Sequence, residues 1–422
     1  MDKIIIEGGQ QLKGTITLSG AKNAVLPILA ATLLTEEKCT IKNVPPLNDC
    51  FTMVKILKEI GARVHHCETD RYIIVEPKKS INHVAPYKLV SKMRASFCVL
   101  GPLLGKLKMA QVSLPGGCVI GPRPVDLHLK GIKALGADIK IDHGYVFANA
   151  KNLTGGRVYL GGAFGSSVLA TANVMMAATL AKGKTLIENA ACEPEVIDLA
   201  EFLIKMGAKI KGHRTHTIEI EGVKKLSGAE HTVIPDRIEA GTYMLAAAVT
   251  RGDVTIKNVI AEHLGAVIDK MQEAGIHVTR GANSIRVKGT SRLRPVDVTT
   301  LPYPGFPTDM QAQMMTLMSV TDGISVITEK IYPDRFMHIS ELNRMGAQIM
   351  LEGSSGIVKG VKQLSGAPVM ASDLRASAAL VLAGLVAKGK TEVFRVYHLD
   401  RGYERMEEKL SALGAKIWRE KE

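Results

Sequence analysis

The chain is poor in aromatic residues, with 8 Phe, 9 Tyr and 1 Trp among 422. With so few aromatics, and no long run of lysine or arginine, nucleic acid finds no stacking platform and is not an expected partner. No apolar stretch reaches the roughly 18–20 residues that span a bilayer. The opening MDKIIIEGGQ also lacks a charged segment ahead of an apolar one, so a cytoplasmic protein without membrane contact is expected. The six cysteines, Cys39, Cys50, Cys67, Cys98, Cys118 and Cys192, are scattered and form no CxxC pair, which argues against a zinc site or a disulfide scaffold. Neither His65 with His66 nor His213 with His216 has carboxylate or cysteine partners at metal-ligand spacing. The glycine-rich stretch 153–167 has neither the P-loop lysine order nor the dinucleotide GxGxxG spacing, and reads as a hairpin feeding a helix. What remains is a chain with 46% apolar residues, ordinary for a soluble globular protein, and a net charge of +13. Phosphorylated small molecules suit that charge better than nucleic acid does.

What the chain does contain is repetition. The phrase IIIEGGQQLKGTITLSGAKN at 4–23 returns as IEIEGVKKLSGAEHTVIPDR at 218–237 and IVKGVKQLSGAPVMASDLR at 357–375, with looser copies near 73–94, 146–167 and 285–309. A second marker, Gly-Ala after an amphipathic stretch, falls at Gly61, Gly136, Gly207, Gly346 and Gly414, with Gly275-Ile276 as a variant. The period of about 70 residues is longer than that of common solenoid repeats, so each copy is a supersecondary unit and three copies make a domain. Each unit reads as strand, turn, strand, then a helix apolar on all sides, as in AVLPILAATLL (24–34) and AALVLAGLVA (378–387). Such helices are buried. Another strand follows, then an amphipathic helix ended by the glycine in a left-handed cap.

The last copy stops at GAKIWREKE without a closing strand, and the chain begins with that piece, KIIIEGG. The N-terminus is therefore expected to complete the sixth repeat. This predicts a discontinuous domain of residues 1–20 and 233–422, a second domain of 21–232, and two chain crossings that permit closure on a ligand in the interdomain cleft.

Chemistry gathers at one phase of the repeat, the start of each apolar helix, where Lys22-Asn23, Arg94, Ser166-Ser167, Asp236-Arg237, Asp309 and Asp373 with Arg375 stand. The acidic and hydroxyl members fit simple capping. Cations at a helix N-terminus oppose the macrodipole, so Lys22, Arg94, Arg237 and Arg375 call for an anion. The loop SLPGGCVIGPRPVDL (113–127), rich in glycine and proline, reads as a lid carrying Cys118 and Arg123. A thiol flanked by Gly-Gly near arginines is expected to be reactive. Met310, Met314, Met315 and Met318 keep helical spacing and read as core.

The runs LSGAKNAVLPILAA, MRASFCVLGPLL, SLPGGCVIGPRPVDLH, FPTDMQAQ, DRFMHISEL, LSGAPVMASDLRASAALVLAG and HLDRGYERMEEKL, spread over nearly the whole chain, closely resemble the UDP-N-acetylglucosamine enolpyruvyl transferases of the EPSP synthase-like family. The resemblance implies a two-domain inside-out α/β barrel, each domain built from three βαβαββ units, with the active site in the interdomain cleft. It implies transfer of the enolpyruvyl group of phosphoenolpyruvate to the 3′-hydroxyl of UDP-N-acetylglucosamine, with release of phosphate and without a metal or organic cofactor. Two small-molecule substrates are then the partners, and no oligomer is required. By match to the family's motifs, Lys22, Arg123 and Arg401 contact the phosphoenolpyruvate phosphate, and Arg335 and Arg375 lie in the same cationic pocket. Asp309 is the candidate base for the 3′-hydroxyl, Asp373 assists proton movement, and Cys118 is the lid's proton donor, which also forms an adduct with phosphoenolpyruvate and is open to alkylation by fosfomycin. Asn23, Arg94, Arg123, Pro124, Val125, Asp126, Leu127 and Ile331 match nucleotide-sugar or nearby contacts. One departure is GAFGSSVLAT (162–171), where the family often has an SVGAT run.

Two other readings compete. A shikimate-3-phosphate enolpyruvyl transferase shares the fold and donor, but its pattern lacks the PGGC lid. A noncatalytic nucleotide-sugar or RNA-binding module on the same scaffold would fit the basic charge, but not the joint presence of Lys22, Cys118, Asp309, Asp373 and Arg401.

Overall fold

A computed structural model describes residues 2–67, 69–116 and 125–421. Cys118, Arg123 and Pro124, and the greater part of the expected lid, lie outside the described residues. The described residues form two compact units, one made of the chain up to Ser19 together with the chain from Pro235 onward, the other of segments between Gly20 and Ile234. Each unit has its own apolar core.

Six four-stranded sheets share one pattern. In the second repeat Val84–Ala85 runs parallel to Met109–Ser113, which pairs antiparallel with Tyr145–Asn149, which pairs antiparallel with Asp138–Asp142. Burial alternates along these strands, with Val112 and Val146 inward in one register pair, so one face is core and the other is polar. Three repeats take a strand from elsewhere in the chain, two of them as the parallel neighbour. Cys39–Lys42 has Glu230–Thr232 as its parallel neighbour, and Asp253–Lys257 has Lys13–Thr17. The strand that precedes the helix Lys22–Ala31 in sequence thus belongs to one unit and the helix to the other. In the sixth sheet Asp2–Glu7 sits between Lys390–Phe394 and Lys416–Lys421, antiparallel to both, in the place expected for the missing strand.

The division of the chain falls between Ser19 and Gly20 and between Ile234 and Pro235, rather than after 20 and 232. Ile234 is tied into its unit by its N–H to the Asp198 carboxylate at 3.2 Å and its carbonyl to the Ala21 N–H at 2.7 Å. Asp236 N–H instead donates to the Ser19 carbonyl, and those two residues lie together in the unit made of both chain ends.

The inner helices are buried all round, as their composition requires. Every residue of Arg237–Val249 and of Gln311–Ser319 is buried, and these two pack with Leu374–Val386. In the other unit Lys22–Ala31, Leu100–Leu107 and Val168–Ala178 occupy the same places. Their serine and threonine hydroxyls donate to backbone carbonyls, as Thr242 does to Ile238 and Thr316 to Ala312 and Ala379, so burial leaves those hydroxyls satisfied. Met310, Met314, Met315 and Met318 are core.

The marker glycines follow from backbone geometry. Gly61, Gly136, Gly207, Gly275, Gly346 and Gly414 all have φ between +85° and +108°, ending the outer helices in left-handed turns. The glycine after the central strand, Gly222 in one copy and Gly360 in another, has a different cause. A Cβ there would overlap the Ala181 or Thr321 carbonyl just beyond an inner helix.

Candidate active site

The inner-helix starts separate caps from charged clusters. Ser167 accepts the Ala170 N–H at 3.3 Å after a short hairpin that pairs Gly161–Gly162 with Gly165–Ser166. Asp236 accepts from Ile238 and Glu239 at 2.8 and 3.0 Å, and Asp373 accepts from Arg375 and Ala376 at 2.8 and 3.2 Å. These three are caps as expected. Asp309 is not: Pro307 occupies the cap position of the turn Thr308–Met310, and the Asp309 carboxylate faces two guanidinium groups.

That cluster lies within the unit carrying residues 235–421. Arg335 Nη1 donates to Asp309 Oδ1 at 2.8 Å, and Arg375 Nε and Nη2 donate to Oδ2 at 3.2 and 3.1 Å. Arg335 Nη2 is also 4.0 Å from Asp373 Oδ1. Arg375 lies over the Tyr403 ring, 5.2 Å from its centroid, and is 1% exposed. Burial opposes its charge, but Tyr403, Asp309 and Asp236 outweigh burial and keep the guanidinium protonated. For Arg335 burial is likewise outweighed, by Asp309 and then Asp373. Tyr403 is itself fixed by Thr242 at 2.8 Å and by Gln313, whose Nε2 also donates to the Asp309 carbonyl at 3.0 Å. His338, from the run DRFMHISEL, is buried beside Asp373 and Arg335; burial pushes its pKa down to about 4, so the ring is neutral at pH 7. Asp309, Arg335 and the neighbouring Asp373 and Arg375, from three separate stretches of the chain, therefore form one cluster. Arg401 ends the turn Val396–Arg401 and is half-buried; Ile331 is also half-buried, and its N–H donates to Glu329.

The other unit carries the remaining described candidates. Lys22 opens its helix, is 8% exposed, and places Nζ 3.2 Å from Asp49 Oδ2 at the first turn of Asn48–Ile60. The anion that sequence reasoning sought outside the chain is thus partly supplied by the chain, through Asp49 for Lys22 and Asp309 for Arg375. Asn23 is the next residue of that helix, half-buried. Arg94 starts the turn Arg94–Val99, and its charge reaches buried Cys98 and His128. Val125, Asp126 and Leu127 lead into Asp126–Ala134. His128 is held by Asn173 Nδ2 at 2.9 Å, and the same amide nitrogen donates to the Phe97 carbonyl at 3.0 Å. Burial, aided by Arg94, pushes the His128 pKa down to about 3.

Sequence reasoning missed Asp49, Thr308, Glu329 and Tyr403. Glu329 and Asp49 had no spacing signal, since what marks them is a partner far along the chain. Tyr403 and Thr308 stood inside or beside recognised runs, but their roles follow only from contacts. His213 meets Glu201 at 2.9 Å and His216 meets Cys192 at 3.3 Å, pairs that spacing did not show. Among the described residues no group of three His, Cys, Asp or Glu side chains is placed to hold a metal ion, and no helix is long and apolar enough to cross a membrane.

Residues 6–410 match the protein family described as EPSP synthase (3-phosphoshikimate 1-carboxyvinyltransferase). The chain belongs to this family. It is 58% identical over 418 residues, 99% of each chain, to UDP-N-acetylglucosamine 1-carboxyvinyltransferase 1 of Caldanaerobacter subterraneus subsp. tengcongensis. It is 56% identical over 422 residues, 100% of each chain, to UDP-N-acetylglucosamine 1-carboxyvinyltransferase of Myxococcus xanthus. Among solved structures, the enolpyruvyl transferase NikO of Streptomyces tendae superposes with a TM-score of 0.90 at 24% identity, covering 99% of this chain and 98% of that one. An EPSP synthase of Acinetobacter baumannii superposes at 0.77 with 17% identity and full coverage of both. At these identities the likeness to the solved structures speaks for a common α/β fold.

Proposed function

We propose that the chain transfers the enolpyruvyl group of phosphoenolpyruvate to the 3′-hydroxyl of UDP-N-acetylglucosamine, releasing phosphate, and so commits the sugar to peptidoglycan. The observation that carries this is full-length identity of 58% and 56% to enzymes named for that reaction. The proposal includes the finer architecture that the resemblance implies, an inside-out α/β barrel of two three-repeat domains, the discontinuous one closed by the N-terminal strand, taking substrates in the interdomain cleft. Six sheets of one pattern, one of them completed by the chain's first strand, support it.

The chemistry follows from the charges of the substrates. Phosphoenolpyruvate brings a phosphate and a carboxylate, and Lys22, Arg123, Arg335, Arg375 and Arg401 supply the cations to bind it and stabilise charge in the transition state. Asp309 takes the proton of the 3′-hydroxyl as its oxygen bonds to C2 of the enol. A proton reaches C3 from Cys118, giving a tetrahedral phospho-ketal. Loss of that phosphate with a C3 proton, assisted by Asp373, restores the double bond in the product. The carboxylates and guanidiniums at 2.8–4.0 Å support roles for Asp309, Asp373, Arg335 and Arg375. Asn23, Arg94, Arg123, Pro124, Val125, Asp126, Leu127 and Ile331 are assigned to nucleotide-sugar or nearby contacts. No cofactor takes part, and reaction in the cytoplasm as a soluble enzyme completes the reading.

Phosphate release by the purified protein, with UDP-N-acetylglucosamine or shikimate 3-phosphate as acceptor, tests it. Release only with the nucleotide sugar is expected. Release with shikimate 3-phosphate would overturn the acceptor, and release with neither would overturn the enzymatic reading.

A further inference from the structure

Behind the Asp309 cluster lies a carboxylate that none of the chemistry above uses. Glu329, at the end of the strand Ile324–Thr328, is 0% exposed and accepts four hydrogen bonds. Its Oε1 takes the Thr300 hydroxyl at 2.6 Å and the backbone N–H groups of Ile331 and Tyr332 at 2.7 and 3.0 Å. Its Oε2 takes the Thr308 hydroxyl at 2.7 Å. All four partners are donors, as an acceptor-only carboxylate requires. The two oxygens serve different ends. Oε1 gathers the start of the segment that carries Ile331. Oε2 acts on the cluster, because Thr308, with its proton committed to Glu329, presents a lone pair to Arg335 Nη1 at 3.0 Å, and that same nitrogen donates to Asp309 at 2.8 Å. The Tyr332 ring, whose backbone Oε1 holds, lies 6.0 Å from the Arg335 guanidinium.

We propose that Glu329 is a positioning residue that serves both substrates from one buried carboxylate, setting the Arg335–Asp309 pair through Thr308 and the Ile331 segment through two backbone amides. The inference rests on the proposed transferase reading for what those two groups do. Its physical content is that a single side chain ties the orientation of the base to the shape of the nucleotide-sugar segment, so the two are built together.

The two oxygens can be separated by substitution. Glu329→Gln retains an acceptor for Thr300, Ile331 and Tyr332, but places an NH2 group against Thr308 and removes the acceptor for its proton. Glu329→Ala removes both branches, and Thr308→Val removes the second alone. Glu329→Gln should lower kcat about tenfold, the scale of one lost hydrogen bond to a charged group, with KM for UDP-N-acetylglucosamine within about twofold. Thr308→Val should reproduce that loss, and the double variant should be no slower than either single one, since both cut the same link. Glu329→Ala should also raise KM for the nucleotide sugar.

Amide hydrogen exchange supplies a readout without turnover. Ile331 and Tyr332 should stay protected in Glu329→Gln and lose protection in Glu329→Ala, in protein whose melting shows it folded. Wild-type kcat in Glu329→Gln, multiplicative losses in the double variant, or equal amide exchange in Glu329→Ala and wild type would each overturn the proposal. If the wild-type protein fails to release phosphate with UDP-N-acetylglucosamine, the transferase reading falls by that result, while the exchange experiment still decides whether Glu329 positions the segment.

Discussion

Asp309→Asn tests the centre of the site, because one carboxylate there answers two buried guanidinium groups. Asparagine keeps the volume but turns one oxygen into an NH2 that faces a cation. Removing one partner of a buried ion pair costs about 3–5 kcal/mol. Here the Asp309 side chain is 26% exposed, Arg335 retains Asp373 at 4.0 Å, and Arg375 retains the Tyr403 ring. The lower end, about 3 kcal/mol, is therefore expected. At about 2–4 °C per kcal/mol for a unit of this size, calorimetry should find the unit melting about 6–12 °C lower. If Asp309 is also the base, phosphate release should fall by about 10²–10⁴-fold while UDP-N-acetylglucosamine still binds by titration calorimetry. Adding Arg375→Met to Asp309→Asn should recover part of the stability, since one uncompensated charge is gone, without recovering turnover. An unchanged melting temperature in the single variant would refute the burial argument, and turnover within tenfold of wild type would remove Asp309 from the chemistry.

Acid should loosen the fold through two neutral histidines. The unfolded ring titrates near 6.5, whereas His128 is pushed to about 3 and His338 to about 4. The unfolded chain therefore takes up protons first, so stability is full above about pH 7 and falls as pH drops toward 4; urea midpoints at pH 7.5 and 5 should differ, and less so in His128→Gln. Thiol chemistry should be confined: burial pushes Cys39 to about 11 and Cys50 and Cys98 to about 12, so native alkylation at pH 7.5 followed by peptide mapping should spare these three. Fosfomycin should label Cys118, and Cys118→Asp should end the labelling; undiminished labelling would mean another thiol reacts. Gly360→Ala forces a Cβ onto the Thr321 carbonyl and should destabilise its unit by about 3 kcal/mol in denaturant titration, a loss that an unchanged midpoint would contradict.

Much of the architecture was legible because it is local and repeated. An apolar helix must be buried whatever surrounds it, and a helix end that turns left-handed needs glycine, so residues 24–34, 378–387 and the six marker glycines declared themselves. The strand IIIEGG, displaced from its repeat, was readable as the closing piece because it opens the phrase that returns at 218–237 and 357–375; in the structure Asp2–Glu7 sits between two strands near the far end of the chain. Which strands Lys13–Thr17 and Glu230–Thr232 would pair with was not readable, since either has the pattern to lie beside either partner.

At the site, sequence by itself determined which charged residues stand at the helix starts, and so where cations and carboxylates would gather. It could not separate caps from charge partners. Asp236, Asp309 and Asp373 look alike along the chain, yet two accept backbone N–H groups at the helix start and one faces two arginines. Only tertiary structure decided that, as it decided that Asp49 meets Lys22 and that Glu329 holds Thr308. Capping is a bond to the next turn of the same helix, set by neighbours in sequence. The pairing of buried charges is set by which distant side chains packing brings within about 3 Å, where desolvation leaves each charge dependent on its partner.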